Sequence, residues 1–187
     1  MSNAISALQD VVYSGLVDVS EQSLVGMVTL KADLSARATA TAVKAATGLK
    51  MPKARRVELD GPFNAVAWMA PDEVLIVCDH NKADEIVSTL EEKLGKADHL
   101  AVNVSDARAV FTLSGGPVRD VLGKLTPADL GALDLNEMRR TRFAQIAAAF
   151  WMPGEDQATL ICFRSVAQYM FDLLANAARD GTEVGFH

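Results

Sequence analysis

The chain has 187 residues, half of them hydrophobic and 22% charged, which points to a substantial packed core and excludes a disordered chain. Lys and Arg number 18 against 24 Asp and Glu, a net charge of −6, and this balance argues against a nucleic-acid or anionic-membrane surface. No apolar run approaches the ~20 residues that span a bilayer, and no basic-then-apolar leader is visible at the start, so a cytoplasmic protein is expected.

Residues 1–22 carry apolar side chains in no clear period and read as an extended N-terminal arm. Leu24 to Leu30 predicts a strand, and an alanine-rich helix follows, capped by Asp33 or Ser35 and stopped at Gly48. Arg56–Asp60 predicts a short strand. Asn64–Met69 and Glu73–Cys78 predict a hairpin around Ala70-Pro71-Asp72. A helix begins at Asn81 or Asp84, with Ile86, Leu90 and Leu94 on one face, and ends at Gly95; His99–Val104 is a strand.

The same order then begins again. Ala109–Leu113 predicts a strand, Ser114-Gly115-Gly116 a tight turn, and Pro117–Leu125 a helix with proline at its first position, ended by Pro127. Thr126–Glu137 is a connection. Thr141–Trp151 reads as one long strand, Met152–Asp156 as a turn and Ala158–Phe163 as a strand. A helix capped by Ser165 and ended by Gly181 follows, then a last strand at Thr182–Phe186. Thr29-Leu30 and Trp68-Met69 recur 83 residues on, at Thr112-Leu113 and Trp151-Met152, and Ile86 and Leu90 fall on Tyr169 and Leu173 at that offset. Cys78 and Cys162 are 84 apart, which suggests a second hairpin one residue longer. The expected fold is therefore α+β: two tandem split β-α-β, ferredoxin-like modules, spanning 23–105 and 106–187 after an arm at 1–22. Apolar residues on both alternating sets, as in Ile146–Trp151, suggest sheets covered on both faces, by one another or by a partner subunit.

Chemistry is sparse at this level. The Gly115-Gly116 turn lacks the dinucleotide and phosphate-loop patterns, and turn geometry is its better reading. Cys78 and Cys162 lie in apolar runs and read first as buried reduced thiols, second as a disulfide; with His80, His99 and His187 they show no metal-ligand spacing. Arg108, Arg140 and Arg142 are candidate anion or partner contacts, weighed against a solvated strand entry. Trp68 and Trp151, at equivalent strand ends in this alignment, read as core or interface anchors. No nucleophile–base pair stands out, so no catalytic residue is assigned.

A resemblance adds to this reading. Val104-Ser105-Asp106-x-Arg108, then Leu113-Ser114-Gly115, then Arg119-Asp120-Val121-Leu122-x-Lys124-x-x-Pro127-x-Asp129-Leu130 resemble the gamma subunits of heterotetrameric sarcosine oxidase in order and spacing. Arg140-Thr141, Phe163-Arg164-Ser165-x-Ala167-x-Tyr169 and Trp68-x-x-Pro71-Asp72-Glu73 extend the resemblance over roughly residues 24 to 180. Thr126 stands where that family often has cysteine, and Gly115-Gly116 replaces its Gly-Pro. The resemblance implies an aminomethyltransferase-like, folate-binding type of fold and a structural subunit with no catalytic, cofactor or metal site of its own. It implies partners too: alpha, beta and delta subunits carrying FAD, FMN, NAD, zinc and tetrahydrofolate, in a complex that demethylates sarcosine oxidatively to glycine and passes the one-carbon unit to tetrahydrofolate. The alternative is a binding protein for folate or a related carboxylate, with Arg108, Arg140 or Arg142 as the clamp.

Overall fold

The structure, a computed structural model, describes residues 4–184. Its elements in chain order are β1 (Val12–Ser14), β2 (Asp18–Glu21), β3 (Val25–Ala32), α1 (Arg37–Thr47), β4 (Val57–Leu59), β5 (Ala65–Ala70), β6 (Glu73–Asp79), α2 (Ala83–Leu94) and β7 (His99–Asn103). Then come β8 (Arg108–Ser114), α3 (Val118–Gly123), β9 (Arg139–Phe143), β10 (Ile146–Gly154), β11 (Gln157–Phe163) and α4 (Ala167–Ala177). Two compact units result: Leu24–Ser105, and the residues up to Ser23 together with those from Asp106 onward.

In the first unit an antiparallel sheet runs β4-β5-β6-β3-β7. Alternation along each strand sends Val28, Leu30, Val66, Val74, Ile76 and Cys78 to one face, where they pack with Ala42 and Val43 of α1 and Ile86, Leu90 and Leu94 of α2. Gly48 closes α1 in the left-handed region, φ 78°, its N–H donated to the Lys44 carbonyl. Neither predicted cap holds that helix start: the Asp33 carboxylate accepts instead from the Ser35 N–H and hydroxyl, a local turn one step before Ala36.

In the second unit the order is β1-β2-β8-β11-β10-β9. Read from the other edge, β9-β10-β11-β8-β2 repeats β4-β5-β6-β3-β7 place for place. The strand beside β8, which the tandem reading assigns to Thr182–Phe186, is instead β2, antiparallel with Asp18 opposite Ser114 and Glu21 opposite Phe111. Thr182–Val184 are not in a strand, and Gly185 and Phe186 lie outside the described residues. Residues 4–22 thus pack into the second unit instead of forming a separate arm. Val17 and Val19, 1% and 0% exposed, enter the core of the second unit beside Phe111, Leu113, Phe150 and Met170. The Glu21 carboxylate folds the chain before β1 back on itself, accepting from the Ser6 hydroxyl at 3.0 Å and from the N–H groups of Leu8 and Asp10 at 2.9 and 3.0 Å.

The predicted strand Thr141–Trp151 is a hairpin, β9 and β10, turning at Ala144-Gln145 between the paired Phe143 and Ile146. Ala144 sits at φ 49° and donates its N–H to the Leu125 carbonyl at 2.8 Å. An L-residue there carries a steric cost of roughly 1 kcal/mol. Ala144→Gly is expected to raise stability by about 0.5 kcal/mol or more in denaturant titration, net of the entropy glycine adds to the unfolded chain. At α4, a short 3-10 turn, Arg164–Val166, takes Ser165 and leaves it no capping bond; the helix ends at Ala177, ahead of Gly181. Pro117 is the residue before α3 and not its first helical one.

Register refines the internal match. Gly26 opposite Cys78 corresponds to Ala109 opposite Cys162, so β3 and β8 are 83 apart while β6 and β11 are 84 apart. Val66 opposite Ile76 corresponds to Phe150 opposite Leu160, again 84 apart. The extra residue therefore lies before the hairpin, and the two hairpins have equal length. Two expectations fall with it. Trp68 pairs with Val74 and shares the helix-side face of Val66, whereas Trp151 pairs with Thr159 on the opposite face, so the tryptophans are not equivalent. In the helices Ile86 and Leu90 match buried Met170 and Leu174, not Tyr169 and Leu173.

Candidate functional site

The stretch from Arg108 to Leu130 carries most of the sequence signal, and the structure shows where its side chains go. The Gly115 N–H, which an anion would need, is donated to the Asp156 carbonyl at 2.9 Å. Gly115 itself has φ 141°, and a Cβ there would press on Val17 at 3.2 Å, so the glycine serves the turn and its packing against the N-terminal segment. Arg119 donates to the carbonyls of Leu130 and Leu133 and to the Glu155 carboxylate at 3.0 Å, joining α3, the loop after it and the β10–β11 turn. Lys124 donates to the Ala177 carbonyl at 2.7 Å and the Thr182 hydroxyl at 2.9 Å, satisfying the end of α4. Asp129 accepts from the N–H groups of Gly131 and Ala132. Thr126 is buried, its hydroxyl 3.4 Å from that of Thr141. Further on, Arg164 donates to the carbonyls of Ile5 and Ser6 at 2.9 and 3.0 Å, holding the N-terminal segment. These polar side chains tie loops and helix ends of the second unit together.

The three candidate anion contacts share a face, with Arg140 and Arg142 neighbours on β9 and Arg108 set apart on β8. Arg108 pairs with Phe163, Arg140 with Ala149 and Arg142 with Ala147. All project from the face away from α3 and α4, because the intervening Ala109, Phe111, Ala148 and Phe150 belong to the helix-side core. Two strands, β11 and β10, separate β8 from β9, which sets Arg108 and the arginines of β9 roughly 14 Å apart at the backbone. The Arg108 guanidinium lies over the Phe163 ring, 5.6 Å from its centroid.

Both cysteines are free and buried, Cys78 at 4% and Cys162 at 2% exposure. Burial pushes the Cys78 thiol up to about 11, the Asp79 carboxylate adding to it and Lys82 opposing; burial alone pushes Cys162 up to about 12. Neither thiol is expected to react with a disulfide reagent at pH 8 in the native chain, and both are expected to react in denaturant. Because the neutral thiol is favoured in the fold, stability from this source is intact below the ordinary thiol value of 9.0 and is lost as pH rises toward 11 to 12. A pH series of denaturation midpoints checks the sign. Among the described residues there is no group of three or more His, Cys, Asp or Glu placed to hold a metal ion, and no helix is long and apolar enough to cross a membrane.

The two-unit α+β architecture is that of aminomethyltransferase-like proteins. A glycine cleavage system aminomethyltransferase T from Bartonella henselae superposes with a TM-score of 0.65 at 14% identity, covering 86% of this chain and 45% of that one. The family model for "Sarcosine oxidase, gamma subunit family" matches residues 31–180, and the chain belongs to that family. The sarcosine oxidase subunit gamma of Corynebacterium sp. (strain U-96) is 32% identical over 139 residues, 73% of this chain and 67% of the relative. That of an Arthrobacter species is 36% identical over 95 residues, 49% of this chain and 45% of the relative. A chain of the heterotetrameric sarcosine oxidase from Corynebacterium sp. U-96, solved in complex with pyrrole 2-carboxylate, superposes with a TM-score of 0.80 at 27% identity, covering 89% of this chain and 87% of that one.

Proposed function

We propose that this chain is the non-catalytic structural subunit of a cytoplasmic sarcosine oxidase complex, with the flavins, NAD, zinc and tetrahydrofolate carried by alpha, beta and delta subunits. One observation carries the reading. The polar residues that mark the family here, Arg119, Lys124, Asp129 and Arg164, are engaged in bonds that hold this chain's own loops and helix ends. Residues spent on internal architecture favour a scaffold; a reaction centre would hold such groups toward a shared cavity. The folate- or carboxylate-binding alternative is not favoured, since Arg108 stands roughly 14 Å from Arg140 and Arg142 and lies over Phe163.

The test is expression of the chain alone and together with the alpha, beta and delta subunits. Alone, it is expected to show no flavin absorbance and no sarcosine turnover; together, it is expected to co-purify. A complex that assembles and turns over sarcosine fully without this chain overturns the proposal.

A further inference from the structure

Positive charge is unevenly distributed in this acidic chain. Residues 37–56 hold six Lys and Arg and no Asp or Glu, against a net charge of −6 overall. Arg37, Lys44, Lys50 and Lys53 are exposed. The first three rim an open depression of about 550 Å³ whose floor includes Ala40, Ala45 and Met51. Arg37, Thr41, Lys44 and Ala45 recur at helical spacing and are all exposed, so they form the outward stripe of α1.

The fold does not require this charge. A cation in the first turn of a helix opposes the helix dipole, so Arg37 costs α1 stability, whereas Lys44 in the last turn favours it. In the second unit the stretch 120–139, 83 residues on, holds four acidic and two basic residues in the corresponding place. Arg37 and Lys44 are two helical turns apart, roughly 10 Å along the axis. A single small carboxylate cannot bridge that span. An extended segment with two acidic side chains about three residues apart can, and an apolar side chain between them would cover the alanine and methionine floor.

We propose that this basic, apolar-floored face of α1 docks an acidic segment of a partner subunit, one bearing an apolar side chain between carboxylates. The proposal rests on the subunit reading above. Such docking is steered by charge and weakens with salt.

The complete complex tests it. The wild-type chain, the triple variant Arg37→Glu, Lys44→Glu, Lys50→Glu, and the control Lys82→Glu, Lys93→Glu, Lys96→Glu are each co-expressed with the other subunits. The control makes the same change in net charge just before, on and just after α2. Circular dichroism of each isolated chain checks folding, and co-elution is followed from low to high NaCl. Wild type and control are expected to co-elute over the same salt range, the triple variant to bind about tenfold more weakly or worse. Ala45→Trp, which fills the depression without changing charge, is expected to weaken co-elution with little change in its salt dependence.

If the wild-type chain never joins the complex, the subunit reading falls, and the docking surface with it. If the wild type joins and the triple variant joins equally at every salt concentration, the docking surface alone is overturned. A saturable thermal shift of the isolated wild type by glutarate, lost in the triple variant while assembly is unaffected, overturns docking in favour of a small-anion site.

Discussion

Deleting residues 1–22 is expected to unfold the second unit. The deletion removes β2 and its ladder from the place beside β8, takes Val17 and Val19 out of the core, and breaks the bonds from the N–H groups of Gln22 and Leu16 to the Val110 and Ala178 carbonyls. Each valine contributes roughly 1.5–3 kcal/mol by burial, and each lost hydrogen bond about 1 kcal/mol. Together these approach or exceed the ~5–15 kcal/mol by which a domain is stable. The deletion also bares the β8 edge to other chains, so aggregation is expected. A subtler variant probes the same join. Gly15 lies so close to the end of α4 that a Cβ would meet the Ala178 carbonyl oxygen at 2.2 Å, and that carbonyl accepts the Leu16 N–H at 2.7 Å. Gly15→Ala must move the strand entry or break that bond. Hydrogen exchange reads both variants: protection is expected to fall in β8, β11 and α4 while β3 and β6 keep theirs. A truncated chain with full protection in β8 would show that β2 is dispensable.

The elements with one clean period were legible in the sequence. Strands β3, β5 and β6 are apolar runs bounded by turn residues, and α2 shows its buried Ile86, Leu90 and Leu94 at helical spacing. Strand β2 was hidden because it is four residues long and its inward set, continuing from Val17, is Val19 and then Glu21. A buried glutamate breaks an apolar alternation, and only its loop of N–H donors explains it. The β9–β10 turn was hidden for a different reason: Ala144-Gln145 holds no glycine, proline or asparagine, and a carbonyl 19 residues earlier, at Leu125, anchors its N–H. The repeat was visible, but matching Trp with Trp set the hairpins one residue out, and in a sheet one residue reverses every side chain. As for the candidate site, Arg119, Lys124 and Arg164 stood out as family markers, yet their partners are backbone carbonyls, which no residue pattern displays. The basic face of α1 was masked by an acidic total, because net charge averages over the surface that a partner would see.

Phe150→Ala is expected to cost the second unit about 3–5 kcal/mol. Phe150 is 0% exposed and meets Phe143 edge-on, ring centroids 5.4 Å apart at 90°. Truncation would leave a cavity between β9, β10 and the helix-side core, and the strands are fixed by their ladders and cannot close it. In the first unit the register partner of Phe150 is Val66, also 0% exposed, so the two cores fill one position with side chains of very different volume. Phe150→Val tests whether the second core can accept the first unit's solution. It is expected to be destabilising but less so than alanine, because Phe143 has packed against a ring that valine does not replace. The reciprocal Val66→Phe is expected to overpack the first unit by about 1–3 kcal/mol. Thermal melts of the isolated chain should show a fall on the order of 25 °C for Phe150→Ala, from about 4–8 °C per kcal/mol in a domain of this size. Denaturant titration with the unfolding slope unchanged would confirm that stability alone has moved. A loss below about 1 kcal/mol would mean that the β9–β10 hairpin relaxes onto α3 and α4, and that the second unit is held by its polar ties more than by its core.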